Sequence, residues 1–495
     1  MAENKRYGQR KKLILVNPAS LSRKGFVNNE GTYVMPLGLG IVAALTPDNW
    51  EVELVDENFE RFELRAADLV ALTGLTPSTP RAYEIAATCR KAGIHTVMGG
   101  IHASMFSHET SRYVDTVFTG EAEGAWPQLI RDFEAGRIKK WYDGGIVGVE
   151  SICSPRREIY DKYPYVYDLV QTSRGCPLGC EFCSVTQMCG KTYRERDVDA
   201  VLAELEQTRR PLLFFVDDNL VNNKKGAEER AIRLFRGMVE KKLKKVWYSQ
   251  AAVNFADNED VLRWARKSGC FMILMGIEAE KVEALKDVRK NLNLKRGVKT
   301  YHEVFKKMHR HGIGVLAAMI FGMDSDTEQD LHARRDFILN SSIDTYQCTI
   351  LTPLPGTVLF DRMSQENRIV LNNYPDDWEH YDGMAATLNT PLLNYTEMDS
   401  TMREIWMKLY HKETIRRKMF RTLWNTRSFK TAYWTYATSH NYGRMFLERF
   451  ITKGDIINEK LEWNDRKRSL YLRTTDWLIW LFYQLSWQKM LKRFR

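Results

Sequence analysis

The sequence of 495 residues predicts an α/β protein with two successive parallel sheets and a helical carboxyl-terminal segment. Between residues 12 and 135, short runs rich in β-branched residues alternate with helix-like stretches, and a second alternating series runs from about 166 to 375. Continuous apolar runs separated by helices are typical of parallel sheets covered on both faces. After about residue 395 the pattern becomes helical, basic and aromatic.

Each alternating series contains five strand candidates. Those of the first series are K-L-I-L-V-N-P, E-V-E-L-V-D-E, D-L-V-A-L-T-G-L-T, H-T-V-M-G-G and V-D-T-V-F-T-G-E. Those of the second are L-L-F-F-V-D-D-N, V-W-Y-S-Q-A-A, F-M-I-L-M-G-I-E, V-L-A-A-M-I-F-G and Y-Q-C-T-I-L-T-P-L-P-G-T. Small or polar residues end the first five strands, where parallel sheets bind ligands. They are Asn17, Thr73, Gly74, Thr76, Gly99, Gly100 and Gly120.

The same patterns predict the domain boundaries. Residues 1–135 form the first α/β domain, and residues 136–165, which include G-G-I-V-G and S-P-R-R, form a linker. Residues 166–390 form the second α/β domain, and residues 391–495 form a basic, Trp-rich helical domain. A chain of this length is expected to contain two or three domains.

Composition limits where the protein is expected to work. The charged start lacks the apolar core and cleavage site of a secretory signal, and no apolar run approaches the roughly 18 residues that span a bilayer. We therefore expect a cytoplasmic protein. In a reducing compartment its eight cysteines are expected to be ligands or buried residues rather than disulfides.

Three cysteines lie within eight residues, in Q-T-S-R-G-C-P-L-G-C-E-F-C-S. Cys176, Cys180 and Cys183 have the spacing C-x3-C-x2-C, whereas a closed zinc site wants four ligands in paired spacing. Cys189 is a conceivable fourth ligand. The simpler alternative is a four-iron cluster held by three thiolates, which leaves one iron open to a substrate or cofactor.

This motif, with Phe182 before the last cysteine, resembles that of the radical S-adenosylmethionine enzymes. The resemblance extends to the strand before Asp218, to G-I-E at Gly276 and Glu278, to F-G-M-D-S-D-T near Gly322, and to T-P-L-P-G-T. It implies a partial (β/α) barrel in which the open iron binds S-adenosylmethionine, whose cleavage gives a 5'-deoxyadenosyl radical. It also implies that Asp218 and Glu278 lie near the amino or ribose groups of that cofactor. The alternative is that these acids cap helices.

The first domain resembles the flavodoxin-like (Rossmann-type) domain of cobalamin-binding radical enzymes. The matching motifs are N-P, P-L-G-L, T-G-L-T, G-G-x-H and G-E-x-E. The cofactor-binding residues that this resemblance implies are Asn17, Pro36, Gly38, Thr73, Gly74, Thr76, Gly99, Gly100, His102, Gly120, Glu121 and Glu123. Glycines at such positions would let the corrin or its nucleotide tail approach the backbone.

The sequence departs from many cobalamin proteins because it has no D-x-H-x-x-G motif. We infer that no histidine of that motif ligates the cobalt. His102 is interpreted either as a turn residue at the cofactor's periphery or as an ordinary buried histidine.

The remaining cysteines, Cys89, Cys153, Cys270 and Cys348, lack metal-like spacing and are expected to pack in cores. A second cluster is therefore not expected. This argues against a methylthiotransferase, because those relatives carry additional amino-terminal cluster cysteines.

The carboxyl tail differs from the rest of the chain. Residues 401–495 contain 21 Lys and Arg against 8 Asp and Glu, a net charge of +13, and seven of the thirteen tryptophans. These are Trp406, Trp424, Trp434, Trp463, Trp477, Trp480 and Trp487. An apolar, Trp-rich body with a basic end, as in residues 476–495, is typical of a helix lying in a membrane interface. The alternative is a helical cap packed on the barrel. A nucleic-acid partner is not expected, because no recognisable binding module accompanies the basic residues.

The resemblance places the chain with the hopanoid methylases and the anaerobic magnesium-protoporphyrin IX monomethyl ester cyclase. It implies one [4Fe-4S] cluster, S-adenosylmethionine and methylcobalamin as cofactors, and flavodoxin or ferredoxin as electron donor. We expect a methyltransferase acting on an unactivated carbon of an apolar or lipid-like substrate, with peripheral contact to the inner face of the membrane. A cyclase or oxidoreductase that uses both cofactors and a non-catalytic cobalamin or cluster sensor are the alternatives. No catalytic acid or base can be assigned.

Overall fold

The computed structural model of the chain describes residues 10–20, 34–222 and 224–447. Its first strands are β1 (Lys11–Asn17), β2 (Trp50–Asp56), β3 (Leu69–Thr73), β4 (His95–Gly99), β5 (Thr116–Thr119) and β6 (Trp141–Asp143). The helices between and after them are α1 (Leu37–Leu45), α2 (Thr79–Lys91), α3 (Ile101–Met105), α4 (Ser107–Tyr113) and α5 (Ala122–Glu134).

The first six strands form one parallel sheet in the order β2-β1-β3-β4-β5-β6. Residues Leu13 to Val16 of β1 are fully buried, because helices cover both faces of the sheet. The order is flavodoxin-like, and the direction of strand succession changes between β1 and β3. Ligands bind at this switch point, outside the carboxyl ends of the strands.

Strand β6 lies inside the segment predicted as a linker, residues 136–165. Its Trp141 pairs with Val117 of β5, which extends the first sheet beyond residue 135. The strand is three residues long and contains two aromatic residues but no apolar run. The sequence periodicity therefore could not identify it.

The second set of strands is β7 (Tyr167–Val170), β8 (Ser173–Arg174), β9 (Arg194–Glu195), β10 (Leu212–Phe215), β11 (Val246–Ala251), β12 (Cys270–Glu278), β13 (Gly314–Phe321) and β14 (Thr345–Ile350). The accompanying helices are α6 (Val185–Cys189), α7 (Val198–Gln207), α8 (Ala227–Glu240), α9 (Glu259–Ser268), α10 (Val282–Asp287), α11 (Asn291–Arg296), α12 (Tyr301–Arg310), α13 (Glu328–Asn340) and α14 (Val358–Gln365).

Six of these strands form the partial barrel that the resemblance implies. Their order is β14-β13-β12-β11-β10-β7, all neighbours are parallel, and β7 and β14 are the open edges. Alternate side chains point inward, as strand geometry requires. The inward residues include Phe214, Tyr248, Gln250, Leu274, Gly276, Ala318, Gln347 and Thr349. The two-residue strands β8 and β9 pair separately and antiparallel.

Three helices, α15 (Tyr395–Leu409), α16 (Lys412–Thr426) and α17 (Phe429–Leu447), follow the barrel. Helix α17 closes the amino end of the barrel, where its Trp434 stacks on Phe271 at a centroid distance of 5.1 Å. The Thr431 hydroxyl donates to the carbonyl of Gly312 at 2.8 Å. The basic, aromatic tail thus begins as a cap on the barrel.

No helix within the described ranges is both long and apolar enough to cross a bilayer. All eight cysteines are free. Cys89, Cys270 and Cys348 are buried in cores as predicted, whereas Cys153 is only half-buried.

Candidate active site

The three predicted cluster thiols lie in one loop, residues 175–193, which leaves the barrel through β8 and returns through β9. The two strands pair Arg174 with Arg194, so the loop is closed at its base. Gly175 starts the loop with φ +91°, and a Cβ at this position would lie 2.3 Å from the carbonyl oxygen of Thr192. Only glycine fits there, because the conformation and the close backbone both exclude a side chain.

Cys176, Cys180 and Cys183 line a single cavity of about 500 Å³. Burial raises the pKa of all three thiols, to about 12 for Cys183. Thiolates there need a positively charged partner, because burial penalises their charge. Cys189 does not line this cavity, so the structure does not bring it in as a fourth ligand.

Three thiols on one loop that line one cavity fit a four-iron cluster held by three thiolates. Within the described part of the chain, no group of three or more His, Cys, Asp or Glu side chains is arranged to hold one metal ion. Sulfur ligands at a Zn–S distance of about 2.3 Å must converge on a single point. A four-iron cluster is larger and accepts three separated thiolates from one loop.

Two neighbouring aspartates after β10 have different surroundings. Asp217 is fully buried and accepts from the backbone nitrogen and hydroxyl of Thr172, at 3.1 and 2.8 Å, and from the hydroxyl of Ser173. Asp218 lines the thiol cavity, and its buried Oδ2 has no hydrogen-bond partner among the described residues. Burial, and then the charge of Asp217, raise the pKa of Asp218 to about 6. Asp218 is therefore the carboxylate with bonding capacity left for a ligand.

Glu278 ends β12 and also lines the thiol cavity. Its φ is +61°, an uncommon conformation for a residue other than glycine, and the β12–β13 register shifts at this point. Lys290 donates to its Oε1 at 2.6 Å. A Cβ on Gly276 would lie 2.6 Å from the Nζ of Lys290, so the glycine makes room for this ion pair.

Lys290 is a cavity residue that sequence reasoning missed. Its ammonium lies 5.9 Å from the centre of the Phe182 ring, beside the cluster motif. The charges of Glu278 and of the thiols overcome burial and raise its pKa. Nothing in its sequence spacing indicates this position, because only the fold brings the residues between α10 and α11 next to residues 175–193.

A second cavity, of about 510 Å³, lies at the carboxyl edge of the first sheet. Four predicted cobalamin-binding residues line it: Asn17, Pro36, Gly38 and Thr73. Asn17 and Thr73 end β1 and β3, the two strands that flank the switch point. A Cβ on Gly38 would meet no atom within 4 Å, so α1 leaves open space there. The location at a switch point and this open space fit a large cofactor.

The two cavities adjoin each other. Four residues line both of them: Leu75, Gln250, Leu274 and Gln347. Of the predicted residues, Thr76 lines the thiol cavity with Phe182 and Gly276. The carboxyl edge of the first sheet thus faces the interior of the barrel across two adjoining cavities.

Eight predicted cofactor residues line neither cavity: Gly74, Gly99, Gly100, His102, Gly120, Glu121, Glu123 and Gly322. Several of the glycines among them lie against neighbouring parts of the chain, where a side chain would not fit. A Cβ on Gly100 would lie 2.7 Å from the Thr73 hydroxyl, and one on Gly322 would lie 2.8 Å from Met398. Their assignment as cofactor ligands stays a prediction.

His102 is fully buried at a packing contact. Its ring nitrogens lie 3.3 Å from the Thr76 hydroxyl and 3.4 Å from the Glu109 carboxylate. Its ring meets Trp378 edge to face at 5.2 Å, and the Trp378 indole also donates to Glu109. The geometry favours the second of the two interpretations, a satisfied buried histidine.

The comparisons with known proteins agree with both resemblances. The sequence matches the Radical SAM superfamily over residues 170–338 and the B12 binding domain over residues 23–130. It is 28% identical over 426 residues to bacteriochlorophyllide d C-12(1)-methyltransferase of Chlorobaculum tepidum, which covers 83% of this chain and 90% of that protein. It is 25% identical over 405 residues to hopanoid C-2 methylase of Rhodopseudomonas palustris, and this match covers 79% of this chain and 73% of that protein.

The fold also resembles a solved structure. The radical S-adenosylmethionine methyltransferase TsrM of Kitasatospora setae, with cobalamin and a [4Fe-4S] cluster bound, superposes with a TM-score of 0.64. Identity is 15%, and the match covers 89% of this chain and 99% of that one. The B12 binding domain match falls on the first α/β unit and the Radical SAM match on the second. The Radical SAM match includes the cluster loop. The chain therefore belongs to the cobalamin-binding radical S-adenosylmethionine enzymes.

Proposed function

We propose that this enzyme transfers a methyl group to an unactivated carbon of an apolar or lipid-like substrate. The observation that carries the proposal is that the thiol cavity and the cavity at the switch point adjoin each other and share the lining residues Leu75, Gln250, Leu274 and Gln347. When bound, the cluster and S-adenosylmethionine supply a 5'-deoxyadenosyl radical, and methylcobalamin supplies the methyl group. Because the two cavities adjoin, one substrate carbon bound at their boundary would be near both sources.

We assign the three thiols as cluster ligands and Asp218 as a ligand of the S-adenosylmethionine amino or ribose group. The free Oδ2 of Asp218 supports its assignment. Glu278 has one carboxylate oxygen bonded to Lys290, so its other oxygen has bonding capacity left. A flavodoxin or ferredoxin is the proposed electron donor.

The barrel side of the second cavity supports an apolar substrate. Phe214, Tyr248, Leu274 and Leu316 line it, with the carboxamides of Gln250 and Gln347 as neutral polar groups. Phe214 and Tyr248 stack at 4.3 Å with nearly parallel rings. The two relatives named above act, by their names, on a bacteriochlorophyllide and on hopanoids, which are both polycyclic and poorly soluble.

Mass spectrometry of the S-adenosylmethionine products tests the activity. The enzyme is reconstituted anaerobically with iron, sulfide, cobalamin and a reductant, and supplied with methyl-deuterated S-adenosylmethionine and either a lipid or a tetrapyrrole extract. We expect deoxyadenosine, S-adenosylhomocysteine and a deuterated product, all dependent on one extract. Deoxyadenosine without S-adenosylhomocysteine would instead support the cyclase alternative, and no cleavage at all would support a sensor.

Replacing one motif thiol tests the cluster assignment. Cys180→Ala should abolish S-adenosylmethionine cleavage and lower bound iron, while cobalamin binding stays unchanged, because Cys180 lies in the cluster loop and lines only the thiol cavity. Cys189→Ala is the matched control, since this thiol is in the same loop but does not line the cavity. Full cleavage by Cys180→Ala would refute the assignment.

Asp218→Asn should weaken S-adenosylmethionine binding yet stabilise the cofactor-free protein. Loss of a charged hydrogen-bond acceptor predicts a rise in the dissociation constant of about 10-fold or more, measured by equilibrium dialysis. The raised pKa, about 6 instead of 3.8, means that this carboxyl lowers stability progressively as pH rises from about 4 to about 6 and keeps that cost above pH 6. Urea unfolding should therefore show stabilisation by the variant near pH 8 and little effect near pH 4.

The neighbouring aspartate provides the control for that experiment. Asp217→Asn should destabilise the protein at pH 8, because an amide has one acceptor oxygen in place of two, and the two Asp217 oxygens accept from Thr172 and Ser173. Burial raises the pKa of Asp217 as well, so the lost hydrogen bonds, and not the pKa, make the two variants differ. If both variants lower stability alike, or if Asp218→Asn binds S-adenosylmethionine normally, then Asp218 is a structural residue.

We also propose peripheral contact with an anionic membrane through the outward face of α16. Arg417, Phe420 and Trp424 are exposed on this face, and Trp424 is 70% exposed. The Arg427 guanidinium lies 4.4 Å from the Trp424 ring. Exposed aromatic rings between arginines suit the boundary between lipid headgroups and acyl chains.

Two other parts of the tail bear on membrane contact. Trp406 and Trp434 are used in packing: the indole of Trp406 donates to the carbonyl of Cys348 at 3.0 Å. The segment of residues 476–495, with Trp477, Trp480 and Trp487, lies outside the described residues, as does Trp463. The packed-cap alternative therefore holds for the described start of the tail, and the contact surface is assigned to the exposed α16 face.

Sedimentation with phosphatidylglycerol vesicles tests the α16 face. The variant Phe420→Ala/Trp424→Ala should bind at least about 10-fold more weakly, because two exposed aromatic side chains lose their burial in lipid. Leu64→Ala, which removes an exposed apolar side chain of the first domain, should have no effect. Loss of binding only after removal of residues 476–495 would assign the membrane contact to that segment. Unchanged vesicle binding by the double variant and by the truncated protein would show that neither the α16 face nor that segment binds the membrane.

A further inference from the structure

A buried group of four charged side chains joins the first domain to the base of the cluster loop. Glu121 and Glu123 come from the start of α5, and Arg174 and Arg194 come from β8 and β9. Arg174 donates to Glu121 at 3.0 Å and to Glu123 at 2.7 Å. Arg194 donates to both oxygens of Glu121, at 2.5 and 2.9 Å. These four residues form what we call the glutamate–arginine junction.

The junction is shielded from water. None of its four side chains is more than 10% exposed. Burial acts to raise the pKa of Glu121, but its bonds to Arg194 and Arg174 hold that pKa below the usual value. A buried charge that loses its partner is strongly destabilised, so these charges fix the relative position of the groups that carry them.

The two arginines hold both ends of the loop that carries the cluster thiols. Arg174 lies two residues before Cys176, and Arg194 lies opposite Arg174 in the β8–β9 pair. Arg194 also donates to the carbonyl of Cys189 at 3.1 Å, at the end of α6, and to that of Val147 at 2.6 Å. One carboxylate of the first domain, that of Glu121, therefore contacts both strands at the base of the loop.

The first domain in turn holds Glu121 rigidly. The Glu121 nitrogen donates to the carbonyl of Gly145 at 2.9 Å, and the nitrogen of Val147 donates to its carboxylate at 3.2 Å. Gly144 and Gly145 pack so closely on this turn that a Cβ on Gly120 would lie 2.5 Å from the Gly145 nitrogen. Residues 144–147, which follow β6, thus fix the position of the Glu121 carboxylate through these contacts.

We propose that Glu121 is a positioning residue for the cluster, which sets the location of the thiol loop relative to the first domain. This assignment differs from the cofactor contact predicted from the G-E-x-E motif, because the Glu121 carboxylate is bonded to two arginines and lines neither cavity. The junction gives the enzyme a fixed distance between the site of radical generation and the site at the switch point. Only the activity readout of its test rests on the proposed function.

The test compares Glu121→Gln with the wild-type full-length enzyme after reconstitution. The amide keeps the shape, but Arg174 then has only the carboxylate of Glu123, and Arg194 loses the carboxylate of Glu121 that it is bonded to. We expect cobalamin affinity within about 2-fold of wild type and a changed electron paramagnetic resonance spectrum of the reduced cluster in the presence of S-adenosylmethionine. Cleavage should fall by about 10- to 100-fold, as is usual when a group that orients metal ligands is lost. The spectrum needs no substrate, so it reports on the junction even if methylation is not found.

Two further variants separate positioning from general stability. Asp132→Asn removes another buried carboxylate of α5, which accepts from Tyr142 at 2.9 Å, and it should lower the urea midpoint without changing the cluster spectrum. Arg194→Lys keeps the charge but not the two-bond geometry, so it should reproduce the altered spectrum of Glu121→Gln in a weaker form. It also provides the test if Glu121→Gln fails to fold.

Two outcomes would overturn the proposal. The first is a wild-type spectrum and wild-type cleavage rate in both Glu121→Gln and Arg194→Lys. The second is a loss of cobalamin affinity in Glu121→Gln with an unchanged cluster spectrum, which would restore the cofactor contact predicted from the sequence.

Discussion

The direction of the parallel strands is the constraint on which the rest of the structure depends. Every strand of the first sheet and of the partial barrel runs parallel to its neighbours, so each sheet collects its loops at one edge. The carboxyl edge of the first sheet faces the barrel interior, and the two cavities meet there. Side chains that are distant in sequence, such as Asn17, Asp218 and Gln347, therefore line two adjoining cavities.

Buried charge is distributed according to whether it holds the fold or faces a ligand. Asp217 and Glu121 have their carboxylates bonded within the protein, and removing their partners would leave an unpaired buried charge. Asp218 instead keeps one buried oxygen without a partner among the described residues. Burial raises the pKa of both aspartates, so the free oxygen and not the pKa distinguishes Asp218 from Asp217. Of the buried side-chain atoms that lack a hydrogen-bond partner among the described residues, Asp218 Oδ2 is the one carboxylate oxygen, and a buried carboxylate with bonding capacity left is typical of a binding site.

The sequence allowed the fold class and ten strands to be predicted, because apolar runs that alternate with helix-like stretches are typical of parallel strands. It did not reveal β6 to β9, which are two to four residues long and owe their conformation to neighbouring strands. The three thiols were found because their ligand spacing is local. Lys290 could not be found in this way, since its contact with Glu278 depends on the loops after β12.

The G-E-x-E motif has one assignment from its resemblance, a cofactor contact, and another from its contacts in the structure, a positioning role. The motif was recognised by its position after the fifth strand, where cofactor contacts are expected, and the glycine does adopt a positive φ of 73°. A carboxylate near an anionic cofactor tail would, however, be repelled, whereas two arginines of the next domain stabilise it at 2.5 to 3.0 Å. If Glu121 positions the cluster loop as proposed, its motif would accompany the cofactor without touching it, because the domain that binds the cofactor must also be joined to the domain that uses it.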